Sequence, residues 1–394
     1  MKILLFTFVM LFTSLSAQAQ QVDRLPEIEQ QKQQEALQSV YKYGIVVRLL
    51  NQFHDNHPEI PDLVDASMKS MFEKLDPHSS YLTASEFEKF MNRAKNSLVG
   101  IGIIYGLDDS KQYLKVLKVL ENSPAERFGL KIGDIITHVD DKSVTGLSLE
   151  AAGEMILGSE NTIVELSLIR DQNSLTKKLK RGKVHIPNLY TKIVDDNILH
   201  LQLLQFTENL ADQVHIAVVK AQVDNQINGV IIEVRNKQGG LLSEAHAIAD
   251  LFMSSGTTVS VRGRAVPEET YLATNDVAIG MEIPVVVLIN KNSASASEIL
   301  AGSLKESNRA TIMGVTSFGK GSVQKIFPLP DRSAIKITTA KYYTHGGTTP
   351  HGIGIEPHIK VELPEDYWKD IQPGDQYKII DPQLERAIMF LQGE

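Results

Sequence analysis

The chain has 394 residues, of which 42% are hydrophobic and 22% charged, as expected of a globular protein with two or three domains. Its 40 lysines and arginines against 48 aspartates and glutamates give a net charge of −8. We expect no nucleic-acid partner, because phosphate contacts need clustered cations. The absence of cysteine excludes disulfides, thiol catalysis, cysteine-ligated zinc and a bacterial lipid anchor.

The first nineteen residues have the pattern of a secretory signal peptide. Lys2 precedes an almost wholly apolar run over 3–16, and Ala17 and Ala19 form a small-x-small cleavage signature. The run is shorter than the ~20 residues that span a bilayer. We therefore expect cleavage near Ala19 and an exported, periplasmic protein. The alternative is an uncleaved membrane anchor.

Residues 20–96 are predicted to be a polar, helical N-terminal region. The apolar spacing over 63–75 predicts a helix, and Thr83 followed three residues later by Glu86 predicts the start of another. Residues 97–182 are predicted to be a small domain of short strands, with a helix over 149–157.

The remaining residues, 183–394, alternate between strand and helix patterns. The apolar runs over 229–233 and 283–289 predict buried strands, and a helical pattern follows each. A helix is also expected over 384–391. The basic stretch over 177–183 is interpreted as a linker. The fold class is therefore α/β and multidomain.

Several kinds of catalytic site are not supported by the residues. No His-Glu-x-x-His or Gly-x-Ser-x-Gly motif occurs. Residues 314–320 resemble a P-loop, but Gly321 replaces the hydroxyl residue that binds Mg²⁺, and a strand pattern follows. Ser-x-x-Lys occurs at Ser174 and Ser317 without its companion motifs, so a penicillin-binding type of hydrolase remains only an alternative.

The strongest candidates for chemistry are two short segments. Residues 293–297 contain three serines, follow an apolar strand and begin a helix, where free N–H groups favour developing negative charge. The alternative is that these serines only cap the helix. In the second segment Lys320 lies between two glycines, and burial there would lower its pKa and let the neutral amine act as a base.

The order of these segments resembles that of the carboxyl-terminal processing peptidases, also called tail-specific proteases. The resemblance covers about 25–390. It is carried by the motifs at 75–82, 100–102, 123–134, 235–240, 293–301, 318–324, 342–344 and 354–357. It implies a ClpP/crotonase-like peptidase core over 183–394, an inserted PDZ domain over 97–182 and the helical segment over 20–96.

The resemblance also implies the roles of particular residues. Ser295 corresponds to the nucleophile, Lys320 to the general base and Gln324 to the residue that holds the lysine. The oxyanion hole corresponds to backbone N–H groups of Ala296 and of one glycine of a pair. That glycine is Gly239 or Gly240. Glu306 lies where some members carry an acidic residue, and its role is open. No metal or cofactor is implied.

The implied substrates are proteins with apolar C-terminal tails. A PDZ domain binds such a tail by strand addition and holds its carboxylate on backbone N–H groups. The candidate carboxylate loop is formed by Leu98, Val99, Gly100, Ile101, Gly102 and Ile103. The alternative is that its two glycines only allow a bend in a strand.

We therefore expect an exported serine endopeptidase that uses a Ser-Lys dyad. An adaptor or regulatory protein and a homodimer are further partners that the resemblance suggests. A non-catalytic PDZ scaffold for exported proteins is the alternative from another class. The segments 237–238 and 345–348 depart from the family's pattern. The changes over 237–238 and 345–351 affect the details of the substrate pocket.

Overall fold

A computed structural model of the protein describes residues 27–95, 97–108, 110–195, 197–364, 367–368 and 381–394. The predicted signal peptide over 1–19 lies outside the described residues. Within the described ranges, no helix is both long enough and apolar enough to cross a membrane. The chain divides into two compact units, residues 1–77 and 78–394.

The first unit contains two helices, α1 (Glu27–Phe53) and α2 (Ile60–Glu73). They are joined by a hydrogen bond of 2.6 Å between the hydroxyls of Tyr43 and Ser67. The helix predicted over 63–75 is confirmed. It begins a few residues earlier than predicted because a proline in the first turn is compatible with a helix start.

The second unit begins with β1 (Ser80–Leu82) and α3 (Ala84–Ala94). Thr83 Oγ1 accepts a hydrogen bond from the Glu86 N–H, and Glu86 Oε2 accepts one from the Thr83 N–H. This reciprocal pair satisfies two donors that the helix cannot, which confirms the predicted helix start.

A small domain of short strands follows. It contains β2 (Ser97–Gly100), β3 (Ile103–Leu107), β4 (Leu114–Val119), α4 (Pro124–Arg127), β5 (Ile135–Val139), β6 (Lys142–Ser143), α5 (Leu149–Ile156), β7 (Ile163–Arg170), β8 (Asn173–Lys180) and β9 (Gly182–His185). The main path of its sheet has the order β3-β4-β5-β7-β8, so β3 is an edge strand, and β2 pairs with β9. Leucine, isoleucine and valine side chains from the sheet and from α5 form its core.

The linker predicted over 177–183 is wrong, because the basic stretch belongs to β8 and β9. β8 pairs with β7 along its whole length. Leu179 is buried in the core of the small domain, whereas Lys178 and Lys180 are exposed. The lysines therefore occupy the solvent face of an edge strand, where charge discourages pairing with other chains.

The large domain is built on a six-stranded sheet with the order β10-β11-β12-β15-β16-β19. The elements are β10 (Leu189–Val194), β11 (Ile198–Leu203), α6 (Leu210–Asn225), β12 (Gly229–Glu233), α7 (Leu242–Asp250), β13 (Thr257–Arg262), β14 (Glu269–Leu272), β15 (Val285–Ile289), α8 (Ala296–Glu306), β16 (Ala310–Gly314), β17 (Ser322–Pro328), β18 (Ala334–Tyr343), β19 (Ile359–Lys360) and α9 (Pro382–Leu391). A second sheet joins β1, β18, β13 and β14, with β17 paired to β18.

The strands from β11 to β19 in the six-stranded sheet run parallel, whereas β10 is antiparallel. Residues of α6, α7 and α8 share one hydrophobic cluster with the sheet, and α9 contributes to another. The buried strands and the C-terminal helix that the sequence predicted are confirmed.

A buried ionic network ties α9 to the central strand β12. The guanidinium of Arg235 donates to both carboxylate oxygens of Asp381, at 2.7 and 3.0 Å, and to Gln383 and Glu233. The ring of Trp368 lies 4.6 Å from it. Arg235 is 1% exposed, so the cation and its carboxylates neutralise one another away from water.

The same network controls the ionisation of Glu233. Burial alone would raise the pKa of Glu233, but Arg235 and His200 outweigh burial and lower the pKa to about 2 from its ordinary 4.5. The carboxylate therefore contributes stability that is fully present above pH 4.5 and is lost as the pH falls toward 2.

Replacing Arg235 with methionine would leave Glu233 and Asp381 buried without their cation. We expect the free energy of unfolding to fall by about 3–5 kcal/mol, measured by urea unfolding at neutral pH. Arg262→Met is the matched control, because Arg262 pairs with Glu268 while both side chains stay about half exposed, at 49% and 55%. That variant should lose under ~1 kcal/mol. Similar losses in both variants would contradict a special role for the buried network.

Candidate active site

The site segments follow the carboxyl ends of three neighbouring parallel strands. The loop over 234–240 follows β12, the turn over 290–295 follows β15, and the segment over 315–321 follows β16. Because these strands are adjacent and parallel, their ends meet at one edge of the sheet, where open α/β folds bind ligands.

Ser295 lies at the sharp turn that begins helix α8. Its backbone has φ 56° and ψ −117°, a conformation that costs a non-glycine residue free energy and that is concentrated at functional sites. A hydrogen bond joins this turn to the end of β12, since Ser293 Oγ donates to the Val234 carbonyl at 2.8 Å. Ser295 thus lies in a strained turn at a helix N-terminus, although the sequence around it is not Gly-x-Ser-x-Gly.

Glu298 joins the Ser295 turn to the segment that carries Lys320. Its carboxylate is fully buried. Oε2 accepts from the backbone N–H of Ser295 at 2.9 Å and of Lys320 at 2.8 Å. Oε1 accepts from the Ser317 hydroxyl at 2.5 Å and the Gly319 N–H at 2.7 Å. One carboxylate thus fixes both backbones, a contact that our sequence analysis missed.

The amine of Lys320 is half-buried. Burial lowers the pKa of Lys320, the charge of Lys336 lowers it further, and Glu298 acts in the opposite direction. The neutral form that a general base requires is therefore favoured. In the described chain, no hydrogen bond joins Lys320 Nζ to Ser295 Oγ, so the structure brings the two backbones together without pairing the side-chain ends.

Gln324 lies on β17, close to neighbours other than the lysine. Its amide nitrogen donates to Ser322 Oγ at 2.9 Å and to Thr338 Oγ1 at 3.2 Å. Among the described residues it makes no hydrogen bond to Lys320. Its predicted role in holding the amine stays a prediction.

Gly239 lies directly against the N-terminus of α8. It has φ +91°, and a Cβ there would lie 2.6 Å from the Ala296 nitrogen. A Cβ on Gly240 would instead lie 2.2 Å from the Phe206 carbonyl oxygen. The N–H groups of Gly239, Gly240 and Ala296 donate to no acceptor in the part of the chain that the structure describes.

Amide side chains connect the 234–240 loop to the turn over 290–295. Asn290 Oδ1 accepts from the Asn236 N–H, while Asn290 and Asn292 both donate to Asn236 Oδ1, each at 2.9 Å. The Lys237 carbonyl accepts from the Ala294 N–H at 2.9 Å. No short-range pattern predicts this pairing, since the partners lie 54 and 56 positions apart.

Glu306 lies at the far end of α8 and holds a different segment. Its carboxylate accepts from the Gly346 N–H and from the Thr348 hydroxyl. The residue therefore fixes the loop over 345–348, one of the two segments that depart from the family's pattern. It makes no described contact with Ser295 or Lys320.

The predicted carboxylate loop lines an apolar cavity of about 150 Å³ in the small domain. Five of its six residues contribute, namely Leu98, Gly100, Ile101, Gly102 and Ile103. Val99 does not line it. The N–H groups of Ile101 and Gly102 donate to no acceptor among the described residues. The wall opposite β3 is formed by α5, including Gly153 and Ile156.

Gly102 can only be glycine in this loop. It has φ +83°, and a Cβ there would lie 2.3 Å from the Cβ of Ser123.

Among the described residues, no group of three or more His, Cys, Asp or Glu side chains is arranged to hold a metal ion.

Glu298→Gln is expected to lower the free energy of unfolding by about 2–4 kcal/mol. The amide would turn its NH₂ group toward two of the four donors, and each buried group left unsatisfied costs about 1–3 kcal/mol. Glu306→Gln is the control on the same helix. Because the contacts of Glu306 are more exposed, this variant should lose less than half as much free energy of unfolding. Urea unfolding of both variants measures the difference, and equal losses would contradict the argument.

Two parts of the chain match known protein families, and relatives match over most of its length. Residues 197–361 match Peptidase family S41, and residues 115–170 match a PDZ domain. A carboxy-terminal-processing protease of Bartonella bacilliformis is 34% identical over 345 residues, which are 85% of this chain and 78% of the relative.

A probable CtpA-like serine protease of Staphylococcus haemolyticus is 31% identical and covers 86% of this chain and 68% of the relative. The solved structure of a photosystem II D1 C-terminal processing protease is 25% identical, with a TM-score of 0.50, and covers 80% of this chain and 91% of that one. The fold is accordingly the mixed α/β fold of these enzymes. The chain belongs to peptidase family S41 and is a serine peptidase with a PDZ domain.

Proposed function

We propose that the protein is an exported endopeptidase that recognises apolar C-terminal tails and cleaves protein substrates with a Ser295–Lys320 dyad. The observation that carries this proposal is the buried carboxylate of Glu298, which binds the backbones of both residues. A non-catalytic scaffold would need neither the strained serine nor a half-buried lysine beside it.

In the proposed reaction the Ser295 hydroxyl attacks the scissile carbonyl carbon and gives its proton to the neutral amine of Lys320. The tetrahedral intermediate collapses to an acyl-enzyme as Lys320 returns that proton to the leaving amine. Water then attacks the ester as Lys320 takes its proton. Lys320 passes that proton to Ser295 Oγ as the ester bond breaks and the carboxylic acid product leaves. Gln324 is proposed to hold the amine once the lysine side chain turns toward the serine.

The oxyanion is proposed to bind the N–H groups of Ala296 and Gly239. Both groups have no described acceptor, and Gly239 is the glycine of the pair that lies against the Ala296 nitrogen. Each preorganised donor of this kind contributes about 2.7–4 kcal/mol to transition-state stabilisation. Gly240 remains the alternative donor.

The PDZ domain, proposed to extend over 97–182, is expected to bind the substrate's terminal carboxylate on the N–H groups of Ile101 and Gly102. The apolar cavity beside them favours an apolar last residue. The peptidase core over 183–394 is proposed to be ClpP/crotonase-like. We further propose that residues 1–19 are a signal peptide and that the protein is periplasmic. Its proposed partners, besides substrates, are an adaptor protein and a second copy of the chain in a homodimer.

The dyad and the tail preference are tested together with residues 20–394 and an unfolded reporter protein that ends in an apolar or an Asp-Asp tail. We expect the parent to cut the apolar reporter faster. We expect Ser295→Ala and Lys320→Ala to lose at least about 10³-fold in rate, because the nucleophile or its base is removed. Fragments are identified by mass spectrometry.

The outcomes separate the parts of this proposal. Full activity of Lys320→Ala would overturn the dyad. Equal cleavage of both reporters by the parent would keep the peptidase and overturn tail selection.

The pH dependence tests Lys320 as the base. Because the neutral amine is the active form, kcat/KM should rise with pH through the lowered pKa of Lys320, with a midpoint below the ordinary 10.5. Lys336→Gln removes a positive charge that lowers this pKa, so the midpoint should move to higher pH. Lys325→Gln, on the neighbouring strand β17, serves as the control. An unchanged midpoint in Lys336→Gln would contradict the assignment.

A further inference from the structure

Tyr105 bridges the groove between strand β3 and helix α5. Its hydroxyl donates to the carbonyl oxygen of Leu149, in the first turn of α5, at 3.1 Å. Tyr105 and Ile103 both line the cavity, as expected for alternate residues of one strand. The ring therefore lies on the groove side of β3, next to the space beside Ile103.

Gly153 makes this bridge possible. It lies inside α5, where glycine costs about 1 kcal/mol relative to alanine, and it lines the same cavity. A Cβ at this position would lie 2.1 Å from the Tyr105 hydroxyl. Helix α5 thus has glycine, a residue of low helix propensity, at the point where Tyr105 crosses the groove.

The position of the carboxylate loop fixes how a tail would lie. The loop over 100–102 precedes β3, so a tail whose terminal carboxylate binds there and whose chain follows the free edge of β3 runs antiparallel to it. The last side chain then enters the cavity beside Ile103. The side chain two residues earlier points to the same face, about 7 Å farther along, where it meets Tyr105.

The volume of the cavity agrees with this arrangement. A cavity of about 150 Å³ holds one benzene-sized group, so it accommodates one side chain and not two. Because Tyr105 crosses the groove, its side chain fills the space that the third residue from the C-terminus of a bound tail would need.

We propose that Tyr105 is a specificity-determining residue that restricts the PDZ domain to tails with a small third residue from the C-terminus. The proposal rests on the tail capture proposed above. Gly153 is its positioning partner, because it leaves room for the hydroxyl. Accepted tails accordingly end in a small residue, any residue and an apolar residue, in that order.

The test measures peptide binding by residues 20–394 carrying Ser295→Ala, which keeps the peptides intact. The probes are fluorescein-labelled octapeptides ending in Ala-Ala-Leu or Phe-Ala-Leu, and an Ala-Ala-Leu peptide with a C-terminal carboxamide. Fluorescence anisotropy gives Kd for each. We expect the alanine tail to bind about tenfold more tightly than the phenylalanine tail, because overpacking opposes the larger residue.

Tyr105→Ala should reduce this preference to under about threefold, and measurable binding of the alanine tail reports that the domain is folded. Tyr105→Val keeps a strand-forming residue and should act in the same way. Tyr113→Ala is the matched control, since Tyr113 belongs to the same domain but does not line the cavity, and it should keep the preference.

The outcomes distinguish the two levels of the proposal. If the parent binds both acid tails equally but rejects the carboxamide, tail capture stands and the role of Tyr105 is overturned. If the preference survives in both Tyr105 variants, that role is also overturned. If the carboxamide binds as tightly as the acid, or no peptide binds, carboxylate capture is overturned and the role of Tyr105 with it.

Discussion

The carboxylate of Glu298 is the interaction on which the geometry of the site depends. A buried carboxylate without partners would be strongly unfavourable, and here it accepts four hydrogen bonds from two segments of the chain. Moving the Ser295 turn away from the Lys320 segment would leave donors on both sides and the carboxylate unsatisfied. The two backbones are therefore fixed in relation to each other.

The third segment of the site is fixed by different constraints at its two ends. Arg235, near the start of the 234–240 loop, is held in the buried network with Asp381 of the C-terminal region. Gly239, near its other end, has no room for a side chain beside Ala296. Between them Asn236 pairs with Asn290. These contacts link the 234–240 loop to the C-terminal region and to the turn before α8, and so position the candidate oxyanion donors.

The sequence predicted what short-range patterns encode and missed what the topology brings together. Periodicity located β12, β15 and α8. The unusual segments pointed to the serines over 293–297 and to Lys320, and the family resemblance selected Ser295 among those serines. Glu298, three residues after a serine at a helix start, has the spacing of an ordinary capping residue. Its other donors come from residues 19 to 22 positions later, and only the parallel order of β15 and β16 brings them near. The positive φ of Ser295 likewise depends on that tertiary contact.

The placement of Glu298 also explains how a carboxylate can lie near a lysine that must be neutral. An ion pair would raise the pKa of Lys320 and keep the amine protonated. Glu298 does act in that direction, yet burial and Lys336 outweigh it. Both of its oxygens accept from N–H and O–H donors, and among the described residues Lys320 Nζ forms no ion pair with it. The negative charge of Glu298 thus holds the two backbones, and the net effect of its surroundings is still to lower the pKa of Lys320.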